Sequence, residues 1–448
     1  VNAIPAAQPR VATTVLLSRI LALAAPTSLV AMLQVAALLI ETWLAARQGT
    51  AAFAGWAVVL PFALLMQQMS TGAMGGGVAS AIARALGAGR RDEASALVLH
   101  AALIAVMAGA IFAVALAGLP LAVLGAIAGP DVAQAGASYA IWLFGVGAVP
   151  VWLANTFASV LRGGGRHALA ARVLVLTWVL FPLLGWLLAE PAGMGLAGLG
   201  AAFAAVNWVA ALLMAAVVWR GGAGFAPVLR VRPSWALFHR ILSVGLVACG
   251  LAILANLTTI LVTAQLSNYG PAAVAAYGIS ARLEFLIIPL AFGVGSALTA
   301  LVGRAVGAGE WQTARRIAWT GGLLVFAIAG AAGVAVALAP AAVASMFGAD
   351  AEVIAIAARA LSVIGFAYGA FGLGMALYFA AMGAGRMRWP FVAGLSRVAL
   401  AVGGGWLLAD VAGMGLDGHF LGVALGLAAY GAITAAGVRP GAWPGNRG

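Results

Sequence analysis

Arg84-Ala85-Leu86-Gly87-Ala88-Gly89 recurs 220 residues later as Arg304-Ala305-Val306-Gly307-Ala308-Gly309. Two further pairs keep the same offset and order. Gly163-Gly164-Gly165-Arg166 matches Gly383-Ala384-Gly385-Arg386, and Ala192-Gly193-Met194-Gly195-Leu196 matches Ala412-Gly413-Met414-Gly415-Leu416. Three ordered matches at one offset mark an internal duplication. They divide the chain into an N-terminal half, 1–220, a linker, 221–240, rich in Gly, Pro and Arg, and a C-terminal half, 241–448.

Outward from these glycine turns the chain is greasy on both sides. Of 448 residues, 65% are apolar and only 8% charged, and the mean hydropathy is +1.10. A soluble domain carries about 25% charged residues, so a soluble enzyme is excluded. A disordered chain would be poor in Leu, Ile, Val and Phe, and is excluded too. What remains is an all-α polytopic bundle, at about 20 residues per span. Apolar runs place spans at 20–46, 52–80, 95–118, 134–160, 168–190, 196–219, 241–266, 273–300, 317–338, 353–380, 391–409 and 418–437. The first run is too long for a signal-peptide core, and no cleaved leader is expected. Twelve transmembrane helices split into two six-helix lobes. Six is even, so both halves start on the same side. The lobes are therefore parallel repeats, related by an axis along the membrane normal. Two such lobes beside a central cleft form a transporter plan.

All 23 basic residues are arginine, and the net charge is +12. They are scattered one to three per loop, which fits membrane orientation and not a nucleic-acid surface. Arg10, Arg19, Arg84, Arg90, Arg91, Arg162, Arg166, Arg172, Arg220, Arg230, Arg232, Arg240, Arg304, Arg315, Arg316, Arg386, Arg388, Arg397, Arg439 and Arg447 all fall on one face. The positive-inside rule makes that face cytoplasmic, with both termini inside. Asp131, Glu190, Asp350, Glu352, Asp410 and Asp417 fall on the other.

Charged residues inside spans are costly and usually functional. Glu41 lies toward the outer end of the first span, and Glu284 lies deep in the eighth with Arg282 close in sequence. Both glutamates break the repeat, since their counterparts are Leu261 and Leu64. A carboxyl group there can exchange protons, or hold sodium with nearby amide oxygens. The plainer alternative for Glu41 is an interfacial pair with Arg47. For Glu284 it is a structural ion pair, whose arginine must come from another helix or a water-filled cavity because Arg282 is two residues away and points elsewhere. Arg359, in the tenth span, is expected to snorkel. Gln34 precedes Glu41 by two turns on one helical face. Asn155 and Asn256 are further polar groups within spans, as are Gln67, Gln68 and Asn207. Close packing explains most of the 60 glycines, and Gly72-Ala73-Met74-Gly75-Gly76-Gly77 is either such packing or a hinge.

There is no lysine, hence no ATP-binding P-loop. His100, His167, His239 and His419 are scattered, and no metal site, cofactor or catalytic set is expected. With one cysteine, Cys249, no intrachain disulfide forms. Energy for transport is expected from an ion gradient.

Glu41-Thr42-Trp43-Leu44-Ala45-Ala46-Arg47-Gln48-Gly49 resembles the first-span signature of the multidrug and toxic compound extrusion (MATE) family. Ala85-Leu86-Gly87-Ala88-Gly89 with Arg90-Arg91-Asp92-Glu93-Ala94, and its counterpart Val302-Gly303-Arg304-Ala305-Val306-Gly307-Ala308-Gly309, resemble the loops after the second and eighth spans. Leu161-Arg162-Gly163-Gly164-Gly165-Arg166 and Met382-Gly383-Ala384-Gly385-Arg386 resemble those after the fourth and tenth. The resemblance implies two six-helix lobes around a V-shaped cavity. It also implies export of organic cations or other amphipathic compounds in exchange for protons or sodium. It assigns ion coupling to Glu41, acting here with Gln34 and Asn155. Glu284, Arg282 and Asn256 are the candidates in the second lobe. The sequence departs from the family in two places: the fifth-span Asn and Asp of one branch fall at Phe181 and Gly185, and the seventh-span Glu region of another reads Ala255-Asn256-Leu257-Thr258.

The expected protein is thus a monomeric, multi-pass inner-membrane antiporter for small molecules. Rival readings are a lipid-linked sugar flippase of the same wider superfamily, a major-facilitator transporter, and a scaffold or receptor. The flippase needs a cationic cavity, for which the sequence offers Arg282 alone in a span core. The major-facilitator loop signature differs in order from Gly-Ala-Gly-Arg-Arg-Asp at 87–92.

Overall fold

Runs of about 20 or more apolar residues must satisfy every backbone group internally once in lipid, so they coil into helices. The computed structural model describes residues 12–228, 230–348 and 350–443. Arg10 and Arg447, counted above, lie outside them. Eleven continuous crossings are Thr13–Arg47, Thr50–Gly87, Arg91–Ala117, His167–Ala189, Gly195–Trp219, Trp235–Tyr269, Pro271–Gly307, Trp311–Leu338, Ala351–Ala384, Arg388–Val411 and Leu416–Ala436. The fourth of the twelve is Pro130–Val146 followed by Ala148–Gly163, bent by 45°. All twelve expected spans are present, and no β-strand forms among the described residues.

Two features exceed the sequence reading. Spans run past the apolar stretch, the first starting at Thr13 and the eighth ending at Gly307, because hydropathy marks the lipid-facing length and not the helix end. Short helices Pro120–Ala128 and Pro340–Ser345 fill the connections after the third and ninth spans. Each opens on proline, whose fixed φ suits the first helical position, and the two prolines keep the 220-residue offset.

The glycine turns that revealed the duplication have a backbone reason. Gly89 and Gly309 sit at φ +72° and +81°, and Gly165 and Gly385 at +77° and +70°. A Cβ is strained there, so these positions turn the chain sharply between successive spans.

Glycines also set how the lobes meet. A Cβ on Gly87 would strike the carbonyl of Arg304, and one on Gly307 the carbonyl of Arg84. Within each lobe, Gly163 presses on Ala79 and Gly383 on Thr299 in a matching, repeat-related way. Gly75, Gly76 and Gly77 lie against Ser159, Met382 and Gly245, so the glycine run is a packing surface. In lipid, where burial of apolar surface gives helices no drive to associate, this close approach is the main attraction.

Candidate functional site

Glu41 is buried, six residues from the end of the first span. At 1.5 Å per residue that is about 9 Å of helix. Tyr139 Oη donates to Glu41 Oε1 at 2.5 Å, and Trp56 Nε1 donates to the same oxygen at 3.5 Å. The donors come from the fourth and second spans, so the carboxylate ties three helices of one lobe. Arg47 is not its partner: that guanidinium reaches Glu190 at 2.5 Å. The unfilled fifth-span positions are occupied by hydrocarbon. Phe181 is buried edge-to-face between Trp178 and Phe203, and a Cβ on Gly185 would press on Leu199.

Gln34 and Asn155 meet elsewhere. Both line a narrow cavity deeper in the same lobe, together with Gln67, Arg162 and His167, and Glu41 does not line it. Asn155 Nδ2 donates to Gln67 Oε1 at 3.1 Å and to Ser70 Oγ at 2.9 Å. The expected trio therefore divides: Gln34 and Asn155 share one cavity, and Glu41 sits two turns farther along, held by Tyr139 and Trp56. The physical cause lies in the second span. Its helix widens to a π turn at Gln68–Met74, and such turns change which way side chains face. Gln67 and Ser70 are brought onto Asn155, while Gln68 Oε1 accepts from Asn256 Nδ2 of the seventh span at 3.2 Å.

Asn256 thereby bridges the lobes and makes no hydrogen bond to Glu284. Glu284 is buried and accepts from Arg397 of the eleventh span. The guanidinium stacks over Phe371, 5.0 Å from its centroid. The partner comes from another helix, one of the two sources the spacing allowed, but its identity corrects the arginine reading. Arg282, expected in a span core, is exposed. Arg162 and Arg397, expected at the arginine-rich face, are the ones turned inward, with Arg162 at 5% exposure. Nothing in hydropathy separates a terminal arginine that snorkels from one that turns in. Arg359 behaves as expected, reaching Asp417 at 2.5 Å with both side chains about half exposed.

At the arginine-rich end the lobes are latched. Ser80 Oγ donates to the Met382 carbonyl at 2.5 Å, and Arg84 Nη1 to the Gly383 carbonyl at 3.2 Å. The repeat counterpart of Arg84 is Arg304, whose Nη2 donates to the Gly164 carbonyl at 2.8 Å. Each arginine thus supplies donors to the orphan carbonyls and negative dipole end of a helix in the opposite lobe. Sequence reasoning found these arginines as motif members but assigned them no partner, because the partner lies about 140 or more residues away. Tyr139, Trp56, Ser70 and Arg397 were missed as site residues because their partners lie on other helices, which spacing along a single helix does not reveal. No cluster of metal-binding side chains occurs among the described residues.

The MatE family model matches residues 26–187 and 248–407. Curated relatives include a "Probable multidrug resistance protein NorM" of Deinococcus radiodurans, 29% identical over 94% of each chain. A protein of the same description from Xylella fastidiosa is 31% identical over 38% of this chain, which spans only 35% of that relative's length. Among solved structures, a MOP superfamily transporter from Pyrococcus furiosus superimposes with TM-score 0.87 at 20% identity, covering 94% of this chain and 95% of the other. A MATE structure described as in the bent conformation gives 0.87 at 20% identity, covering 96% and 97%. These structural likenesses give the twelve-span, two-lobe fold, and the two matched segments, which together span more than half of the chain, establish that it belongs to the MatE family.

Proposed function

We propose that the chain exports organic cations or amphipathic compounds by proton antiport, with Glu41 as the coupling group. The relatives' descriptions as multidrug resistance proteins support the substrate class. The observation that carries the reading is the buried carboxylate of Glu41, facing Tyr139 Oη and Trp56 Nε1. An indole N–H donates only. It steadies an ionised carboxylate but offers no oxygen to a sodium ion, and Tyr139 adds only one hydroxyl, a sparse oxygen set that favours the proton as coupling ion. Gln34 and Asn155 then belong to the substrate path through the deeper cavity, and Asn256 to the contact between lobes. Arg282, being exposed, is left without a coupling role.

The remaining features follow the same reading. The chain is placed as a monomer in the inner membrane, with no nucleic-acid partner and no cofactor beyond the transported ion. Its arginine-rich end and both termini face the cytoplasm. The N-terminal lobe is 1–220, the linker 221–240, and the C-terminal lobe 241–448. The two segments matched by the family model lie one in each lobe and support that division. The latch at the arginine-rich end then closes the cytoplasmic side and leaves the cleft to open outward.

The deciding experiment is flux of a fluorescent cation in proteoliposomes, with proton and sodium gradients imposed separately. Accumulation driven by the proton gradient alone is expected. Accumulation driven only by sodium would overturn the choice of ion, and none under either gradient would overturn antiport. Tyr139→Phe, which removes the hydroxyl and keeps the ring, is expected to slow proton-driven export about tenfold or more, the scale of a hydrogen bond to a charged group. Trp56→Phe, at the longer contact, is expected to cost less, and the two initial rates measure the order. Arg84→Ala with Arg304→Ala, in a Cys249→Ala background, is expected to raise thiol labelling of a cysteine introduced at Ser80 several-fold. Unchanged labelling would show that the glycine contacts alone hold that side shut.

A further inference from the structure

Arg162 closes the fourth span, and its side chain turns into the lobe instead of toward water. Nη2 donates to Ser159 Oγ at 2.8 Å, and the guanidinium lies 5.5 Å from the Phe292 ring centroid, a face contributed by the other lobe. Among the described residues it forms no ion pair, whereas Glu284 and Arg397, similarly buried, have each other. His167 is buried beside it and also lines the cavity. Thr27 Oγ1 lies 3.1 Å from His167 Nδ1 and 3.5 Å from the Leu23 carbonyl. We assign its proton to the shorter contact, which leaves the proton of the neutral ring on Nε2. Nε2 is buried and makes no hydrogen bond. The rest of the lining is neutral: amides, hydroxyls and apolar groups, with no Asp or Glu.

A buried guanidinium without a counter-charge is costly, and such groups are paired in folded proteins. The negative end of the fourth helix is the obvious structural explanation. A dipole end offsets only a fraction of the cost of desolvating a whole charge, and it leaves most of the five guanidinium N–H donors unused. Two further facts point to a ligand. The orphan Nε2 is a second donor in the same cavity. Arg162 also lines the adjoining gap between the lobes, formed with Gly76, Ser296 and Phe379, so the charge is presented toward the cleft.

We propose that Arg162 and His167 form a binding site for an anionic group, the carboxylate of a zwitterionic amphiphile, inside the N-terminal lobe. The site is separate from Glu41 and rests on the transporter reading for its substrate but not for its anion chemistry. Arg162 supplies the charge and N–H donors, and His167 Nε2 an N–H. Gln34 and Gln67 offer amides beside the anionic group, and Phe292, which also lines the gap between the lobes, gives an apolar face toward the cleft where the body of the molecule lies. Such a substrate carries its cationic end in the cleft and its anionic end on Arg162.

The test is equilibrium binding to the purified full chain in nanodiscs, with no gradient, so that a failure of antiport leaves it intact. Rhodamine 110 carries a free carboxylate and rhodamine 123 is its methyl ester. Fluorescence anisotropy is expected to show tighter binding of the acid. Arg162→Gln should weaken the acid by about 10- to 100-fold, the range of a charge-assisted hydrogen bond, and change the ester by less than about twofold. Arg162→Lys, which keeps the charge, should recover part of the loss. His167→Phe should weaken the acid selectively but less. Equal loss for both dyes in every variant would overturn the proposal and make Arg162 structural. If the acid has no advantage but chloride raises the thermal midpoint of the wild type and not of Arg162→Gln, the anion chemistry stands and its source is a free inorganic ion. No effect of either probe would overturn it.

Discussion

Glu41→Gln is expected to abolish gradient-driven export while leaving expression and thermal stability close to wild type. Glutamine has the size of glutamate and accepts the hydrogen bonds of Tyr139 and Trp56 through its amide oxygen. It cannot exchange a proton. The scaffold therefore survives and the coupling does not. Glu41→Asp keeps the charge but draws the carboxylate back by one methylene, out of reach of donors fixed on two other helices. Partial export, well below wild type, is expected there. The measurement is proton-driven uptake of a fluorescent cation into inverted vesicles, beside a melting curve of each variant. Wild-type export by Glu41→Gln would remove this carboxylate from the mechanism and return it to the role of an interhelical tie. Loss of both export and stability would mean that the charge itself holds the three spans together.

The fold was almost wholly legible from the sequence, and the reason is physical. In lipid every crossing must be a long apolar helix, so twelve runs of greasy residues gave twelve spans, and short connections fixed the order. The duplication was legible because its glycines at 89, 165, 309 and 385 hold positive φ angles that few other residues tolerate. The short helices opened by Pro120 and Pro340 were hidden, since brief helices between spans leave no hydropathy trace. The candidate site was legible only as a set of types. Glu41 and Glu284 stood out because charge in a span is rare. Their partners did not: Tyr139 and Trp56 look like ordinary apolar or interfacial residues, and Arg397 like one more arginine near a helix end. Gln34 and Asn155 were read as company for Glu41 from spacing along single helices. The π turn in the second span reorganised that polar layer, and a fixed 3.6-residue period carries no sign of such a turn.

The Glu284–Arg397 pair gives the largest stability effect to expect. Both side chains are only about 11–12% exposed and come from the eighth and eleventh spans. Removing one partner of a buried pair leaves an uncompensated charge, at a cost of about 3–5 kcal/mol. Glu284→Gln alone, which strands Arg397 over Phe371, is therefore expected to lower the thermal midpoint by several degrees and to reduce yield. Replacing the pair together by apolar residues of similar size, Glu284→Leu with Arg397→Met, removes both desolvation penalties. It is expected to be neutral or stabilising. Midpoints of Glu284→Leu alone, Arg397→Met alone and the double variant, measured in the same detergent, give the coupling between the positions. Export by the double variant then separates the two roles left open for Glu284. A stable double variant that exports at the wild-type rate makes the pair an architectural tie of the C-terminal lobe, and leaves Glu41 as the sole coupling carboxylate. A stable double variant that no longer exports makes the second lobe part of the engine. Additive single-variant losses would show that the two groups are each solvated and that their contact contributes little.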